Sequence, residues 1–352
     1  MAITEQQIQD ALKELVDPNT GKDYISGKEA RNIKVSGDDI TLDVLLGYPA
    51  KTQIEPIRAA VEGKLKSLPG VGKVTANVTM KIVSHAVQRG VKLVPGVKNI
   101  IAIASGKGGV GKSTVTTNLA VALKYAGATV GLLDADIYGP SVPTMFGVSS
   151  SPEMYMKGEK QIMIPVESKG VKLLSIGLMT ARGQAIVWRG PMVSSAFRQF
   201  VQDTDWGDLD YLIIDLPPGT GDVQLSLVQN VPLTGVLMVT TPQEMALTDA
   251  RRAMGMFSME AVNKKILGVV ENMSYFTPED APDKKYRLFG EGGGSLLSEE
   301  YGVPFLGELP LNPALMKLID EGRLTADAIE LLPYRQVAGA LAQQVSMLQI
   351  TK

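Results

Sequence analysis

The residues of this sequence with the clearest chemical capability form one glycine-rich segment that carries two lysines. The segment consists of Gly106, Lys107, Gly108, Gly109, Val110, Gly111, Lys112, Ser113 and Thr114. An apolar run precedes it at 100–104, and a helical pattern follows at 114–125. Glycines let successive backbone N–H groups point at one anion, and a helix start adds its positive end. The segment is therefore predicted to be a phosphate-binding P-loop, with Lys112 at the β- and γ-phosphates and the Ser113 hydroxyl on Mg²⁺.

Acidic side chains follow two later apolar runs. Asp134 and Asp136 come after the run 130–133, and Asp215 comes after the run 211–214. The carboxyl ends of strands line the ligand crevice of an open α/β sheet, so these side chains are predicted to meet the P-loop. Asp215 is predicted to hold Mg²⁺ directly or through water, and Asp134 and Asp136 to serve Mg²⁺ and the attacking water. Each could instead be a strand-end or N-cap residue.

Three further segments could surround a bound nucleotide. Asn272 follows the apolar run 266–270, and its amide offers a donor and an acceptor to a base edge. A strand-end turn asparagine is the alternative. Residues 241–244 could form another wall of the base pocket, although their signal is weaker. The stretch 217–222, rich in proline and glycine, is typical of a switch loop that senses the γ-phosphate.

The apolar patterns predict two α/β domains. Residues 1–84 are predicted to form a small domain, in which Thr4 and Gln7 make a helix capping box. Residues 85–98 are predicted to be a linker, because they contain Gly90, Pro95 and Gly96. From 99 to 352, continuous apolar runs alternate with helical stretches, which is typical of strands buried on both faces. We therefore expect a P-loop nucleotide-hydrolase fold with a mostly parallel sheet flanked by helices.

The composition excludes several classes of protein. The chain has 352 residues, a net charge of −2 and no cysteine. The charge gives no basic excess for nucleic-acid binding. The absence of cysteine excludes disulfides, thiolate metal sites and a catalytic thiol within this sequence. The N-terminus lacks the apolar region of a signal peptide, and no apolar run approaches the roughly 20 residues that span a bilayer. We therefore expect a cytoplasmic protein that contacts neither nucleic acid nor membrane.

The glycine-rich segment resembles a known class of P-loop. Ser105 to Ser113 is similar to the deviant Walker A motif of the MinD, ParA and nitrogenase iron protein class. Further segments resemble the Mrp/ApbC family of iron–sulfur cluster carrier ATPases, namely 188–192, 215–222, 271–274 and 289–294. The resemblance runs from about residue 95 to residue 330. Residues 1–84 are similar to a small domain that is often fused in front of these ATPases and is linked to iron–sulfur assembly.

The resemblance implies a homodimer that sandwiches ATP and hydrolyses it to ADP and phosphate with Mg²⁺. Lys107 would reach across the dimer interface to the phosphates bound by the partner. Asp136 would position the water, Asp134 and Asp215 would serve Mg²⁺, and Asn272 would read adenine. The implied cargo is an iron–sulfur cluster, and the implied partners are iron–sulfur assembly proteins or apo-target proteins.

The sequence departs from this family at the expected cluster ligands. Family members usually carry a Cys-x-x-Cys pair shortly after the Asn-Met-Ser segment, whereas residues 275–283 contain no cysteine. Iron–sulfur iron prefers thiolate to hard oxygen donors such as Glu279, Asp280 and Asp283. One hypothesis is a dimeric carrier or scaffold-type ATPase of cluster assembly, whose clusters would be held by the cysteines of a partner. The alternative is an ATP-dependent dimeric switch that binds protein partners without a cluster.

Overall fold

The computed structural model describes residues 3–85, 87, 91–137, 139–179 and 190–348, without the side chains of 190, 191, 222 and 223. Trp188 and Arg189, which belong to one of the family segments, lie outside the described residues. Contacts divide the chain into two compact units, Met1–Val83 and Ser84–Lys352. Residues 85–98 were predicted to be a linker, but His85 and Val94 are buried there and a strand begins at Val97. The second unit begins at Ser84, one residue before the expected linker.

The first unit is a three-stranded sheet with two helices. Its elements in chain order are α1 Glu5–Lys13, β1 Ala30–Ser36, β2 Asp39–Leu46, α2 Ile54–Lys66 and β3 Val74–Met80. The strand order is β1-β2-β3, in which β1 and β2 are antiparallel and β2 and β3 parallel. Buried and exposed side chains alternate along β2 and β3, and α2 packs on β3. The capping box predicted for Thr4 and Gln7 is confirmed at the start of α1.

Two buried carboxyl groups lie in this first unit. Asp17 is fully buried and accepts hydrogen bonds from the Tyr48 hydroxyl at 2.8 Å and the Asn19 backbone N–H at 2.9 Å. Glu29 is 7 % exposed, and its Oε2 has no hydrogen-bond partner within the part of the chain that is described. Burial, and then the charge of Asp17, raise the pKa of Glu29 to about 7. The unit therefore contains a carboxyl group that takes up a proton near neutral pH.

We expect Glu29→Gln to remove a pH-dependent loss of stability from the first unit. A raised pKa means that the folded state holds the proton of Glu29 more tightly than the unfolded state. The contribution of Glu29 to the free energy of unfolding is therefore fully present below pH 4.5 and is lost as the pH rises through about 7. The loss in the wild type should amount to about 1–3 kcal/mol, and the amide variant should not show it. Hydrogen exchange of the β2 and β3 amides across this pH range, corrected for intrinsic rates, measures the difference. The same pH dependence in both proteins would contradict the assignment.

The second unit contains an eight-stranded sheet and a separate hairpin. Its strands are β4 Val97–Ala104, β5 Val130–Asp134, β6 Glu153–Lys157, β7 Lys160–Ile164, β8 Val166–Ser168, β9 Val171–Ser175, β10 Leu209–Asp215, β11 Gly235–Thr240, β12 Ile266–Phe276 and β13 Phe305–Leu311. The strand order in the large sheet is β13-β12-β11-β4-β10-β5-β9-β8. Its neighbouring strands are parallel except for β8, which runs antiparallel to β9, while β6 and β7 form the hairpin.

Helices cover this sheet. They are α3 Lys112–Tyr125, α4 Val142–Phe146, α5 Gly190–Gln202, α6 Asp222–Gln229, α7 Glu244–Ser258, α8 Gly293–Tyr301, α9 Pro313–Asp320 and α10 Leu332–Ser346, with 3₁₀ turns at Ile176–Leu178 and Ile329–Leu331. Every residue of β5, β10 and β11 is buried, as expected for strands that are covered on both faces. The predicted mostly parallel sheet with flanking helices is confirmed. Because β4, β10 and β5 lie side by side, their carboxyl ends meet at one edge.

Candidate functional site

The P-loop connects β4 to α3 and encloses a cavity of about 180 Å³. Asp136 and Pro218 also line this cavity, together with the first residues of α3. Gly109 and Gly111 have φ angles of +85° and +78°, a region that glycine enters without steric cost. The first turn of a helix offers unpaired N–H groups and a positive dipole to an anion. The loop therefore has the strand–loop–helix context that its sequence predicted.

Two glycines of the loop lie in close contact with distant parts of the chain. A Cβ atom on Gly106 would lie 2.1 Å from the carbonyl carbon of Asp249 in α7. A Cβ atom on Gly111 would lie 2.3 Å from Nδ2 of Asn272 in β12. At Gly106 the neighbour is helix backbone, so a side chain would force the loop or α7 to shift. At Gly111 the neighbour is a side-chain end, and the φ angle of +78° adds backbone strain for any other residue. Helix α7 and strand β12 thus fix the loop from outside its own strand and helix.

Asp215 gathers three donors at the end of β10. Its Oδ1 accepts from the Lys112 ammonium at 2.7 Å and from the Thr116 hydroxyl at 2.8 Å. Its Oδ2 accepts from the Ser113 hydroxyl at 2.6 Å. Lys112 and Asp215 are both buried, so this is an ion pair shielded from solvent. The structure therefore places the predicted magnesium hydroxyl and carboxylate in direct contact, and adds Thr116, which the sequence analysis did not single out.

The other two acidic side chains lie at the end of the neighbouring strand β5. Asp134 is fully buried, and its carboxylate accepts from the Ser175 hydroxyl at 2.9 Å and the Asp136 backbone N–H at 3.1 Å. Burial, and then the charge of Asp215, raise the pKa of Asp134 above its ordinary value. Asp136 lines the cavity with its Oδ2 3.8 Å from the Lys112 ammonium. The three predicted carboxylates therefore converge on one edge of the sheet.

Asn272 contacts the P-loop directly. Its side-chain nitrogen donates to the Val110 carbonyl at 2.9 Å, and the residue is buried. The amide therefore stabilises the loop, while adenine recognition by Asn272 stays a prediction. The preceding residue, Glu271, is fully buried and accepts from the Gly294 backbone N–H at 2.6 Å. Glu271, in the middle of β12, thus holds the start of α8, a role for which the sequence contains no signal.

The segment after β11, which was expected to form another wall of the base pocket, lies against the start of α8. A Cβ atom on Gly293 would approach Cα of Pro242 to 3.1 Å, so the glycine-rich start of α8 packs on the segment after β11. The Thr241 hydroxyl and Oε1 of Glu271 are buried without hydrogen-bond partners within the described ranges. Thr241 directly follows β11, and Glu271 lies inside β12. A base pocket between these segments stays a prediction.

Lys107 differs from Lys112 in its surroundings. It lines the same cavity and is half-buried, and its backbone carbonyl accepts from the Ser105 hydroxyl at 3.0 Å. Its ammonium forms no ion pair with any of the described residues. The second lysine of the loop is therefore a cation without an ion-pair partner among the described residues of this unit.

Of the helices in the described ranges, none has the length and apolar character needed to cross a membrane.

Comparison with known proteins bears on both units. The family model of the NUBPL iron-transfer P-loop NTPase matches residues 96–346, and that of an iron–sulfur cluster assembly protein matches residues 5–78. An iron–sulfur cluster carrier protein from a Synechocystis species is 45 % identical over 321 residues, covering 91 % of this chain and 90 % of that protein. Its counterpart from Deinococcus radiodurans is 45 % identical over 343 residues, covering 96 % and 94 %.

A solved structure is similar to a large part of the chain. It is a nucleotide-binding protein from Archaeoglobus fulgidus in complex with ADP, with 39 % identity and a TM-score of 0.57. The match covers 65 % of this chain and 88 % of that one. Three observations point to the same family. They are the P-loop with its converging carboxylates, the matched family model, and the sequence identity along nearly the whole chain. The chain therefore belongs to the family of iron-transfer P-loop NTPases.

Proposed function

We propose that this protein is a homodimeric, Mg²⁺-dependent ATPase that promotes the transfer of iron–sulfur clusters. The observation that carries the proposal is the contact between Ser113 and Asp215 beneath the P-loop, at 2.6 Å. A loop hydroxyl and a strand-end carboxylate in contact are the two protein ligands that a P-loop NTPase supplies to its metal. The names of the relatives supply the second half of the proposal, the iron–sulfur cargo.

The donor set fits magnesium. Mg²⁺ takes hard oxygen ligands and usually keeps water and substrate phosphates in its shell, so one hydroxyl and one carboxylate suffice from the protein. Ser113 and Asp215 would hold the ion, with Asp134 behind them at the end of β5. When bound, it would neutralise the charge that develops on the phosphate oxygens. Lys112 would bind the β- and γ-phosphates, and Asp136, which lines the cavity, would orient the attacking water.

Lys107 supports the dimeric part of the proposal. Lys107 lines the cavity, and its ammonium has no ion-pair partner in the described part of its own chain. In the dimer that we propose, it reaches the phosphates held by the partner subunit. Hydrolysis would then require two copies that meet across the nucleotide. The dimer would be the active form and the monomer the inactive form.

We propose that the iron–sulfur cluster is bound by another protein. Clusters are bound by thiolates, and the chain contains no cysteine. No group of three or more acidic or histidine side chains among the described residues is arranged to hold a metal ion. We therefore propose that a partner protein supplies the cysteines. This ATPase would promote transfer between such partners without ligating the iron itself.

Transfer of a cluster between two other proteins tests this proposal. A cysteine-bearing scaffold loaded with a [4Fe–4S] cluster and an apo-acceptor are mixed anaerobically, and the acceptor's circular dichroism is followed in time. We expect transfer to accelerate several-fold with this protein and Mg-ATP, and hydrolysis to accompany it. Lys107→Ala should still bind ATP but lose most of the hydrolysis and the acceleration. Hydrolysis without any effect on transfer would overturn the cargo assignment, as would a cluster retained by this protein alone after reconstitution.

A further inference from the structure

The β6–β7 hairpin has one covered edge and one open edge. On the β7 side, the Met163 backbone N–H donates to the Asp203 carbonyl at 2.9 Å, and the Asp205 N–H donates to the Met163 carbonyl at 2.8 Å. On the β6 side, the structure records no further strand in the ranges that it describes. Every second residue of an antiparallel strand turns its N–H and C=O away from its partner. Among the described residues, the backbone groups on the outer edge of β6 therefore have no strand partner.

This edge strand is fully exposed and partly apolar. All five residues of β6 are exposed, and Met154, Tyr155 and Met156 are 46 %, 38 % and 63 % exposed. The Tyr155 hydroxyl donates to the Asp205 carboxylate at 3.2 Å, which ties the strand to the body of the unit. An exposed edge with apolar side chains is a template for pairing with another strand.

The sequence of β6 is complementary to itself in the antiparallel direction. It reads Glu-Met-Tyr-Met-Lys, from Glu153 to Lys157. Pairing two copies about Tyr155 places that tyrosine opposite its own equivalent. Met154 then faces Met156 of the second copy, and Glu153 faces Lys157, so each end carries one opposite-charge pair. Neither Glu153 nor Lys157 forms an ion pair with any of the described residues, so both charges are available.

We propose that β6 is a docking edge for a second copy of this chain, which joins two hairpins into a four-stranded antiparallel sheet about a two-fold axis. A two-fold interface brings one patch against itself, so only a self-complementary patch satisfies it. The order of charges also selects the direction, because parallel pairing would place glutamate on glutamate and lysine on lysine. Charged residues at the ends of an edge strand normally prevent unspecific pairing. Here the same charges allow antiparallel pairing with a second copy of β6. This interface is independent of the nucleotide and of the proposed ATPase activity.

Charge reversal tests the interface in the full chain without added nucleotide. Sedimentation velocity across a concentration series should detect a reversible dimer of the wild type. Glu153→Lys places two lysines opposite each other at both ends, and should raise the dissociation constant about tenfold to hundredfold. Lys157→Glu should weaken association equally. An equimolar mixture of these two variants forms two opposite-charge pairs in each heterodimer, so it should regain the wild-type affinity.

A matched control separates pairing from net charge. Glu159→Lys, in the turn between β6 and β7, makes the same change in net charge outside the paired strand and should leave association unchanged. Thermal unfolding of each variant verifies that the second unit remains folded. A wild type that stays monomeric throughout the series would overturn the proposal. So would a mixture that associates no better than either single variant.

Discussion

Lys112→Ala is expected to lower ATP turnover by about 100-fold to 1,000-fold. The Lys112 ammonium is the buried cation at the start of α3, and its charge is predicted to stabilise the transferring phosphoryl group. Loss of a preorganised donor in a solvent-shielded site removes stabilisation that water cannot replace. Steady-state phosphate release at saturating Mg-ATP measures the effect.

The control for this variant lies on the same helix. Lys124→Ala, in the last turn of α3, removes an identical charge far from the loop and should retain near-normal turnover. Because Lys112 also pairs with buried Asp215, thermal unfolding of the variant must be compared with the wild type. Undiminished hydrolysis by a folded Lys112→Ala protein would contradict the assignment of the site.

Gly106→Ala is expected to impair both stability and turnover. The added methyl group would lie 2.1 Å from the backbone carbonyl carbon of Asp249, and a helix backbone cannot yield as a side-chain end can. Either the P-loop or α7 must shift, at a cost of about 1–3 kcal/mol in the free energy of unfolding. A displacement of this size at the phosphate site should lower turnover about 100-fold. Chemical denaturation and phosphate release measure the two effects.

The neighbouring Gly108 provides the comparison. A Cβ atom there would meet Pro218 Cγ at 3.9 Å, which is ordinary van der Waals contact. Gly108→Ala should therefore fold with nearly the wild-type stability. Equal destabilisation by the two substitutions would indicate that the loop needs glycine for its chain flexibility, and that the contact with α7 is unimportant.

The parts of this structure that the sequence predicted are those with local signals. The P-loop and the strand ends at Asp134 and Asp215 are predicted by apolar runs, glycine spacing and a nearby helix pattern. Each of these signals lies within a stretch of about 15 residues. Parallel packing then brings the strand ends together. By contrast, the bond from Asn272 to the Val110 carbonyl joins residues 162 positions apart. Thr116 likewise reaches Asp215 only because of tertiary packing, since a threonine inside a helix has no distinctive spacing.

Solvent-exposed strands were the least predictable elements. Five of the seven residues of β1 are exposed, and all five residues of β6 are exposed, so neither strand has the alternation of apolar and polar side chains that marks a half-buried strand. Backbone pairing to β2 and β7 sets their conformation instead. The buried strands of the large sheet were predictable because burial on both faces requires continuous apolar residues.

Because three donors already bind Asp215, the bonds within the protein compete with the bonds that a nucleotide and its metal would form there. Lys112, Ser113 and Thr116 all donate to this carboxylate, so a nucleotide with its metal must displace some of these bonds to enter. Binding is then an exchange of partners, and its net free energy is smaller than the new contacts alone would suggest. The displaced bonds re-form when product leaves, which favours dissociation. The donors to Asp215 would thus help to return the site to its nucleotide-free arrangement after each round.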